Sequence, residues 1–241
     1  EIARRCVDAL MVPFHVRALD LPGFVKSLRS MRNLLGFVAT VPHKPAMRDL
    51  CDAVTPAARR AGAVNVVRRE PDGTLHGAML DGDAFVTALT KAGILVPGKS
   101  VYLAGAGGAA SAIAFALADA GIARLTIANR TRDKARELAG RLLEASPALA
   151  VAVGSDDPSG HDIVVNATSL GMQVGDDVPL NSARLSPEQI VAEVIMQPSV
   201  TPLLAIARER GCRVQTGEPM LEAQIGLMAD FMRVGSGVAP A

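Results

Sequence analysis

The sequence is poor in aromatic side chains and carries almost no net charge. Of its 241 residues only 3% are aromatic, and 25 basic residues are balanced by 24 acidic ones for a formal net charge of +1. Nucleic-acid binding needs a basic surface and often aromatic stacking, and a polybasic membrane contact needs the same positive excess. We therefore expect neither nucleic acid nor a membrane among the partners of this chain.

Cysteine is equally scarce. The three cysteines, Cys6, Cys51 and Cys212, are odd in number and far apart in the sequence. They form neither a disulfide framework nor a pair with metal-ligand spacing. We predict a protein of a reducing compartment, the cytoplasm, with no bound metal.

Hydrophobic residues make up 49% of the chain, and 22 Gly and 15 Pro punctuate it, which excludes a disordered protein. One uncharged stretch, residues 100–118, is long enough to raise the question of a membrane helix. It begins with a strand-like run and is rich in Gly. A soluble nucleotide-binding fold therefore explains it better.

Strand-like and helix-like segments alternate in the second part of the chain, after a linker at 96–99. We predict strands at 100–104, 124–128, 149–153, 162–166, 191–196 and 213–215, and helices at 109–120, 132–145 and 202–210. This alternation indicates right-handed βαβ units and a parallel sheet. In the first part we predict a strand at 35–41, a helix at 46–52, a hairpin of 63–67 with 74–79, and a helix capped by Asp81.

A glycine-rich turn follows the strand at 100–104 and opens the next helix. Its spacing fits G-x-G-x-x-A, in which the backbone approaches a pyrophosphate held at the helix N-terminus. The alternative is an ordinary turn without a ligand. The predicted cofactor-binding residues are Gly105, Ala106, Gly107, Gly108 and Ala109.

The strand at 124–128 runs into a basic segment. NAD enzymes usually place an acidic residue here for the ribose 2′-hydroxyl, whereas this chain has Asn129, Arg130 and Thr131, with Lys134 close behind. The guanidinium of Arg suits the 2′-phosphate of NADP. The alternative is a solvated, basic start to the next helix.

Several short motifs, in one order, resemble the shikimate dehydrogenase family. They are Gly36 to Lys44 (G-x-N-V-T-x-P-x-K), Ala61 to Asn65 (A-x-A-V-N), Gly77 to Gly82 (G-x-N-T-D-G), Gly105 to Ala109, Asn129 to Thr131, Asn166 to Met172, Thr201 to Leu204, and Gly217 through Gln224. The order of these motifs is more specific than any one of them.

The resemblance implies an α/β protein with a Rossmann-type NADP-binding domain and a smaller α/β substrate domain. The implied boundaries are 1–96 for the substrate domain, 97–216 for the NADP-binding domain and 217–241 for a C-terminal helix that returns to the substrate domain. The implied activity is the reversible, NADP-dependent reduction of a ring ketone, 3-dehydroshikimate, to the cyclic hydroxy acid shikimate. For the oligomeric state, a monomer and a homodimer are both compatible with the resemblance.

The resemblance also implies roles for individual residues. Lys44 and Asp81 are the implied catalytic pair, and Thr40, Asn65 and Gln224 join them in binding the substrate. Thr168, Val194 and Gly217 are implied at the nicotinamide end of the cofactor. Lys44 serves either as a base with a lowered pKa or as a cation that stabilises alkoxide character on the substrate oxygen. Without the resemblance, Lys44 would be interpreted as a solvated residue before a helix.

Three positions depart from the family pattern. Met79 and Leu80 stand where Asn and Thr are usual, and Met196 where Tyr is usual. Each change removes hydrogen-bonding capacity, which indicates either a less polar substrate, such as quinate or a related hydroxy acid, or local repacking. A third possibility is a non-catalytic, NADP-binding sensor. The family's opening strand with its Ser-x-Ser carboxylate clamp is missing, so we expect a trimmed chain.

Overall fold

The computed structural model describes residues 1–235, which form ten strands and eight α-helices. The strands are β1 (Gly36–Val38), β2 (Ala53–Val54), β3 (Val66–Arg69), β4 (Leu75–Ala78), β5 (Ser100–Ala104), β6 (Arg124–Ala128), β7 (Ala150–Val153), β8 (Ile163–Asn166), β9 (Ile190–Glu193) and β10 (Arg213–Gln215). The helices are α1 (Leu21–Arg29), α2 (Lys44–Leu50), α3 (Pro56–Ala61), α4 (Asp81–Lys91), α5 (Gly108–Asp119), α6 (Arg132–Ala145), α7 (Pro202–Glu209) and α8 (Glu218–Phe231). Short 3-10 turns occur at Ala18–Asp20 and Ser182–Arg184.

The chain divides into two compact units. The first consists of residues 1–80 together with the chain from Gln224 onward, and the second consists of Asp81–Ala223. The predicted C-terminal helix region, 217–241, includes residues 236–241, which lie outside the described residues.

The first unit is built on a mixed sheet of four strands in the order β1-β3-β4-β2. β3 pairs antiparallel with β1 and β4, and β2 pairs parallel with β4. Val66 of β3 and Ala78 of β4 pack against Met228 of α8, with Phe231 and Met232 at the edge of the cluster. Because Val66 and Ala78 are also partners in the sheet, this cluster ties α8 to the start of β3 and the end of β4.

The second unit contains a parallel sheet of six strands in the order β10-β9-β8-β5-β6-β7. Numbered along this unit, the order is 3-2-1-4-5-6, the doubly wound arrangement of Rossmann-type domains. All four residues of β8 are buried, as expected of a central strand covered on both faces. The chain reverses direction across the sheet between β5 and β8. Ligands of such sheets bind at this switch point, outside the carboxyl ends of the strands.

Small residues allow helices α4 and α5 to pack closely in this unit. A Cβ added at Gly82 would collide with the carbonyl oxygen of Ala112 and lie 2.8 Å from the Cβ of Ala116. Seven residues of α5 are buried, which accounts for the uncharged stretch at 100–118 as strand and core helix.

Most of the predicted elements of the second unit are confirmed, including the strands at Ser100–Ala104, Arg124–Ala128 and Arg213–Gln215. The strand predicted at 191–196 is wrong at its end, because β9 stops at Glu193, whose side chain accepts the N–H of Ile195. In the first unit, the strand predicted at 35–41 shortens to Gly36–Val38. The helix predicted at 46–52 begins at Lys44, and α4 begins at Asp81 itself.

Asp162 ties together the amino ends of β5 and β8. Its carboxylate accepts hydrogen bonds from the Ser100 N–H at 2.8 Å and the Ser100 hydroxyl at 2.7 Å, and Lys99 lies 3.3 Å away. The Ser100 hydrogen bonds lower the pKa of Asp162 from 3.8 to about 2. Since the folded-state pKa is depressed, the ionised carboxylate stabilises the fold above about pH 4, and this contribution is lost as the pH falls towards 2.

We predict that Asp162→Asn destabilises the protein at neutral pH, where the carboxylate is ionised, and that this effect is lost in acid. The free energy of unfolding, measured in urea, should be lower for the variant near neutral pH, and the gap should narrow as the pH falls from about 5 towards 2. A gap that is constant across this range would contradict the assignment.

Candidate functional site

The glycine-rich turn joins β5 to α5 at the switch point of the parallel sheet. Gly105 has a φ of +117°, and its N–H donates to the carbonyl oxygen of Ala128 at 2.7 Å. A Cβ at Gly105 would lie 2.8 Å from the carbonyl oxygen of Ala167, so a side chain has no room there. Gly107, the N-cap of α5, is exposed, and a Cβ on it would meet nothing within 4 Å.

This geometry suits an anion. No side chain caps the N-terminus of α5, so its first backbone N–H groups are available in front of Gly107 and Gly108. The helix dipole adds a partial positive charge at the same point. Ala106, Gly108 and Ala109 are half-buried around it, and the turn can hold a pyrophosphate through its backbone.

Basic side chains lie beyond the carboxyl end of β6, the strand next to β5. Arg130 is exposed and stands between Asn129, whose amide donates to the Thr131 carbonyl at 2.8 Å, and the start of α6. Lys134 is exposed on the first turn of that helix. The nearby carboxylate of Asp133 is paired with Arg136 at 2.6 Å, which reduces its repulsion towards a phosphate.

A buried polar network occupies the carboxyl ends of β8 and β9. Asn166 and Glu193 are register partners, and the Asn166 amide donates to a Glu193 carboxylate oxygen at 3.0 Å. The side-chain oxygen of Asn166 accepts from both the N–H and the hydroxyl of Thr168, at 3.0 and 2.7 Å. The Thr201 hydroxyl, at the N-cap of α7, donates to Glu193 at 2.9 Å.

Gly217 lies against the same region. A Cβ at Gly217 would collide with the carbonyl oxygen of Ile195 and lie 2.9 Å from the carbonyl carbon of Val194. Val194 is in turn held by a hydrogen bond from its N–H to Glu193 at 3.0 Å. The structure therefore brings together Thr168, Val194 and Gly217, the three residues assigned by resemblance to the nicotinamide end.

In the first unit, Asn65 sets the positions of several loops. It is 1% exposed, and its backbone pairs with Ala39 and Ala78, at 2.9 Å in both cases. Its side-chain oxygen accepts from the Leu80 N–H at 3.0 Å. Thr40, which is exposed, follows Ala39 directly, and the carbonyl of the half-buried Lys44 accepts from Val64, the residue before Asn65, at 2.9 Å. Thr40, Lys44 and Asn65 thus belong to neighbouring segments.

The remaining predicted residues lie elsewhere in the chain. Asp81 is 1% exposed and is the first residue of α4, in the second unit. Gln224 is half-buried on α8 and begins the C-terminal segment of the first unit.

The three residues that depart from the family pattern have different surroundings. Met79 is buried at 2% exposure, and Leu80 packs against the cluster of Val66, Ala78 and Met228. The packing of Leu80 favours local repacking as the explanation of that change. Met196 is exposed and directly follows Ile195, whose N–H donates to Glu193.

Glu193 was not predicted from the sequence as part of the site. The sequence does contain a signal for Glu193, because it is the one acidic residue in an apolar run from Ile190 to Met196. An unpaired charge in such a strand is costly, so a partner has to be sought elsewhere in the chain.

Within residues 1–235, no cluster of His, Cys, Asp or Glu side chains is arranged to hold a metal ion. The described helices include none that is long and apolar enough to cross a membrane.

We predict that Gly105 and Gly107 differ in their tolerance of alanine. Gly105→Ala should lower the free energy of unfolding by about 1–3 kcal/mol, because it combines a left-handed φ with a collision at Ala167. Gly107→Ala, the matched control, should change it by less than about 0.5 kcal/mol, because its Cβ points into open space. Urea unfolding of both variants checks this, and equal losses would contradict it.

Family models match most of the described chain. The model of the shikimate dehydrogenase substrate binding domain matches residues 1–67, and that of shikimate/quinate 5-dehydrogenase matches residues 88–176. A curated relative from Rubrobacter xylanophilus, named shikimate dehydrogenase (NADP(+)), is 41% identical over 97% of this chain and 82% of its own length.

Solved structures agree with this relationship. Shikimate 5-dehydrogenase from Thermus thermophilus, in complex with NADP(H) and shikimate, has a TM-score of 0.80 and 34% identity, covering 94% of this chain and 81% of that one. The ligand-free 5-ketofructose reductase of a Gluconobacter strain has a TM-score of 0.83 and 34% identity, covering 97% and 88%. The chain therefore belongs to the shikimate dehydrogenase family, whose curated relatives are NADP-dependent oxidoreductases that act on a CH–OH group.

Proposed function

We propose that this protein catalyses the reversible, NADP-dependent oxidation of shikimate to 3-dehydroshikimate. The observation that carries the proposal is the carboxyl edge of the parallel sheet. There the Gly105–Gly108 turn, the basic segment after β6, and Thr168, Val194 and Gly217 all occur in one unit. The relatives named shikimate dehydrogenase (NADP(+)) support the choice of substrate and cofactor.

The chain offers suitable groups for each part of NADP. The backbone from Gly105 to Ala109 and the N-terminus of α5 would hold the pyrophosphate. Arg130 would bind the 2′-phosphate through its guanidinium, with Asn129, Thr131 and Lys134 beside it. Thr168, Val194 and Gly217 would contact the nicotinamide end. When bound, NADP supplies the acceptor or donor of the hydride.

Lys44 and Asp81 are the proposed catalytic residues. Oxidation of an alcohol removes a hydride from carbon and a proton from oxygen, so negative charge develops on the substrate oxygen. As the hydride leaves carbon, the hydroxyl proton would pass to the Lys44 amine, and the ammonium so formed would hydrogen-bond the same oxygen. In the reverse direction it would return the proton and stabilise alkoxide character on that oxygen. The Asp81 carboxylate would accept a hydrogen bond from a substrate hydroxyl. Thr40, Asn65 and Gln224 would bind further hydroxyls of the substrate.

A different substrate of the same type of reaction is the second candidate. The 5-ketofructose reductase of Gluconobacter is as similar in sequence to this chain as the Thermus enzyme, at 34% identity. Met79, Leu80 and Met196 also replace polar residues of the family pattern. Quinate and 5-ketofructose are therefore the competing substrates, and a sensor that binds NADP without turnover is the non-catalytic alternative.

We propose a cytoplasmic location and keep the division at 1–96, 97–216 and 217–241 as a prediction. The location is supported by the three cysteines, all of which are free thiols.

The test is a panel of substrates with both cofactors. Shikimate, quinate and other cyclic hydroxy acids are offered with NADP+ or NAD+, and 5-ketofructose with the reduced forms, while the NADPH or NADH absorbance is followed. The highest kcat/KM should be obtained with shikimate and NADP+. Turnover of another substrate alone would replace shikimate, and binding of NADP without turnover would favour the sensor.

We predict that Lys44→Ala and Asp81→Asn each lower kcat/KM for shikimate by about 10²–10⁴-fold, because each removes a group from the reacting oxygen or its neighbour. The matched controls are Lys91→Ala and Asp83→Asn, which make the same chemical changes at exposed positions of α4. Both controls should retain wild-type rates. Unchanged turnover in Lys44→Ala would contradict the catalytic assignment.

We also predict that Arg130 sets the preference for NADP over NAD. Arg130→Ala should raise KM for NADP+ by about tenfold or more while leaving KM for NAD+ nearly unchanged, because NAD+ lacks the 2′-phosphate. Arg208→Ala, at an exposed position of α7 in the same unit, is the control. Equal increases in KM for the two cofactors would show that Arg130 does not bind the 2′-phosphate.

A further inference from the structure

Glu193 is a buried carboxylate that accepts four hydrogen bonds. It is 1% exposed, at the end of β9. One oxygen accepts the N–H groups of Val194 at 3.0 Å and Ile195 at 3.2 Å. The other accepts the Asn166 amide at 3.0 Å and the Thr201 hydroxyl at 2.9 Å. Both oxygens are thus surrounded by donors, the arrangement that suits an ionised carboxylate.

Burial outweighs the hydrogen bonds at this group, so the pKa of Glu193 lies above the usual value of a glutamate. Burial raises the pKa of Glu193, while the hydrogen bonds from Asn166, Thr201, Ile195 and Val194 lower it. A charge that is desolvated in this way is tolerated only with its full set of donors. Any segment that supplies a donor is therefore held firmly in one position.

These donors come from three segments that are separate in sequence. Asn166 ends β8 and in turn fixes Thr168, and its amide also donates to the Leu170 carbonyl at 3.0 Å. Val194 and Ile195 form the segment on which Gly217 packs. Thr201 begins α7 and also accepts the Leu204 N–H. One carboxylate thus fixes all three predicted contacts of the nicotinamide end.

We propose that Glu193 is a positioning residue for the cofactor, which holds Thr168, Val194 and Gly217 in the arrangement that receives the nicotinamide end of NADP. This inference rests on the proposed function for the identity of the cofactor. Glu193 acts through its neighbours, since its carboxylate is enclosed by its four donors.

The decisive variant is Glu193→Gln, which keeps the shape of the side chain. Its amide NH2 would face the N–H groups of Val194 and Ile195 in one orientation and the Asn166 amide in the other. At least one of the four hydrogen bonds would therefore be replaced by two opposed donors. Gln189→Leu is the matched control. Gln189 is also buried, immediately before β9, and makes three hydrogen bonds, to Pro158, His161 and Ser186. It belongs to the opposite end of the strand from Glu193.

The experiment measures NADP+ binding by calorimetry, steady-state kinetics with shikimate, and thermal unfolding for wild type and both variants. We expect both variants to melt at lower temperatures. At a temperature well below both transitions, Glu193→Gln should weaken the Kd and raise KM for NADP+ by at least about tenfold, with KM for shikimate within about twofold. Gln189→Leu should bind NADP+ as wild type does.

A second pair of variants separates positioning from stability. Thr201→Val removes one donor to Glu193 and the cap of α7, and Thr201→Ser retains the hydroxyl. Thr201→Val should bind NADP+ more weakly than wild type does, and Thr201→Ser should bind it about as tightly as wild type does.

The outcomes are distinct. If both Glu193→Gln and Gln189→Leu melt early but bind NADP+ normally, Glu193 is structural and the inference is overturned. If wild type binds NADP+ but turns over no substrate, the catalytic proposal fails, while the ratio of binding constants still tests Glu193. If wild type does not bind NADP+, both proposals are overturned.

Discussion

A buried carboxylate that needs four donors is the constraint on which the cofactor side of this protein depends. Glu193 is placed at the carboxyl edge of the parallel sheet, where charge is costly unless every acceptor position is satisfied. The donors come from the ends of β8 and β9 and from the start of α7. Because all of them are needed at once, each of these hydrogen bonds restrains the irregular segment that supplies its donor.

The first unit uses the same device with a neutral side chain. Asn65 is buried beside β3, its backbone pairs with Ala39 and Ala78, and its side chain accepts the Leu80 N–H. In each unit, one buried polar residue next to a strand therefore fixes the segments that carry the predicted functional residues. The regular hydrogen bonds of the sheet end at these points, and the side chains of Glu193 and Asn65 accept backbone N–H groups that lie just beyond the strands.

The sequence predicted the parallel sheet and the glycine turn because their signals are local. A G-x-G-x-x-A spacing after an apolar run gives strand, turn and helix, and Gly105 has the positive φ that the turn requires. The end of β9 was mispredicted because the partners of Glu193 lie up to 27 residues away in the chain. Helix α3 was missed although the Thr55 cap and the left-handed Gly62 mark its ends. The catalytic roles of Lys44 and Asp81 came from resemblance alone, since one lysine before a helix has no distinguishing pattern.

Family membership, the doubly wound sheet and the glycine turn together support a hydride transfer between a CH–OH group and NADP. The most direct test follows the hydride itself. Shikimate carrying deuterium at the oxidised carbinol carbon is incubated with NADP+ and the purified protein, and the reduced cofactor is examined by mass spectrometry. The account predicts NADPH that contains one deuterium per molecule. Formation of unlabelled NADPH, or no NADPH with active cofactor binding, would contradict it.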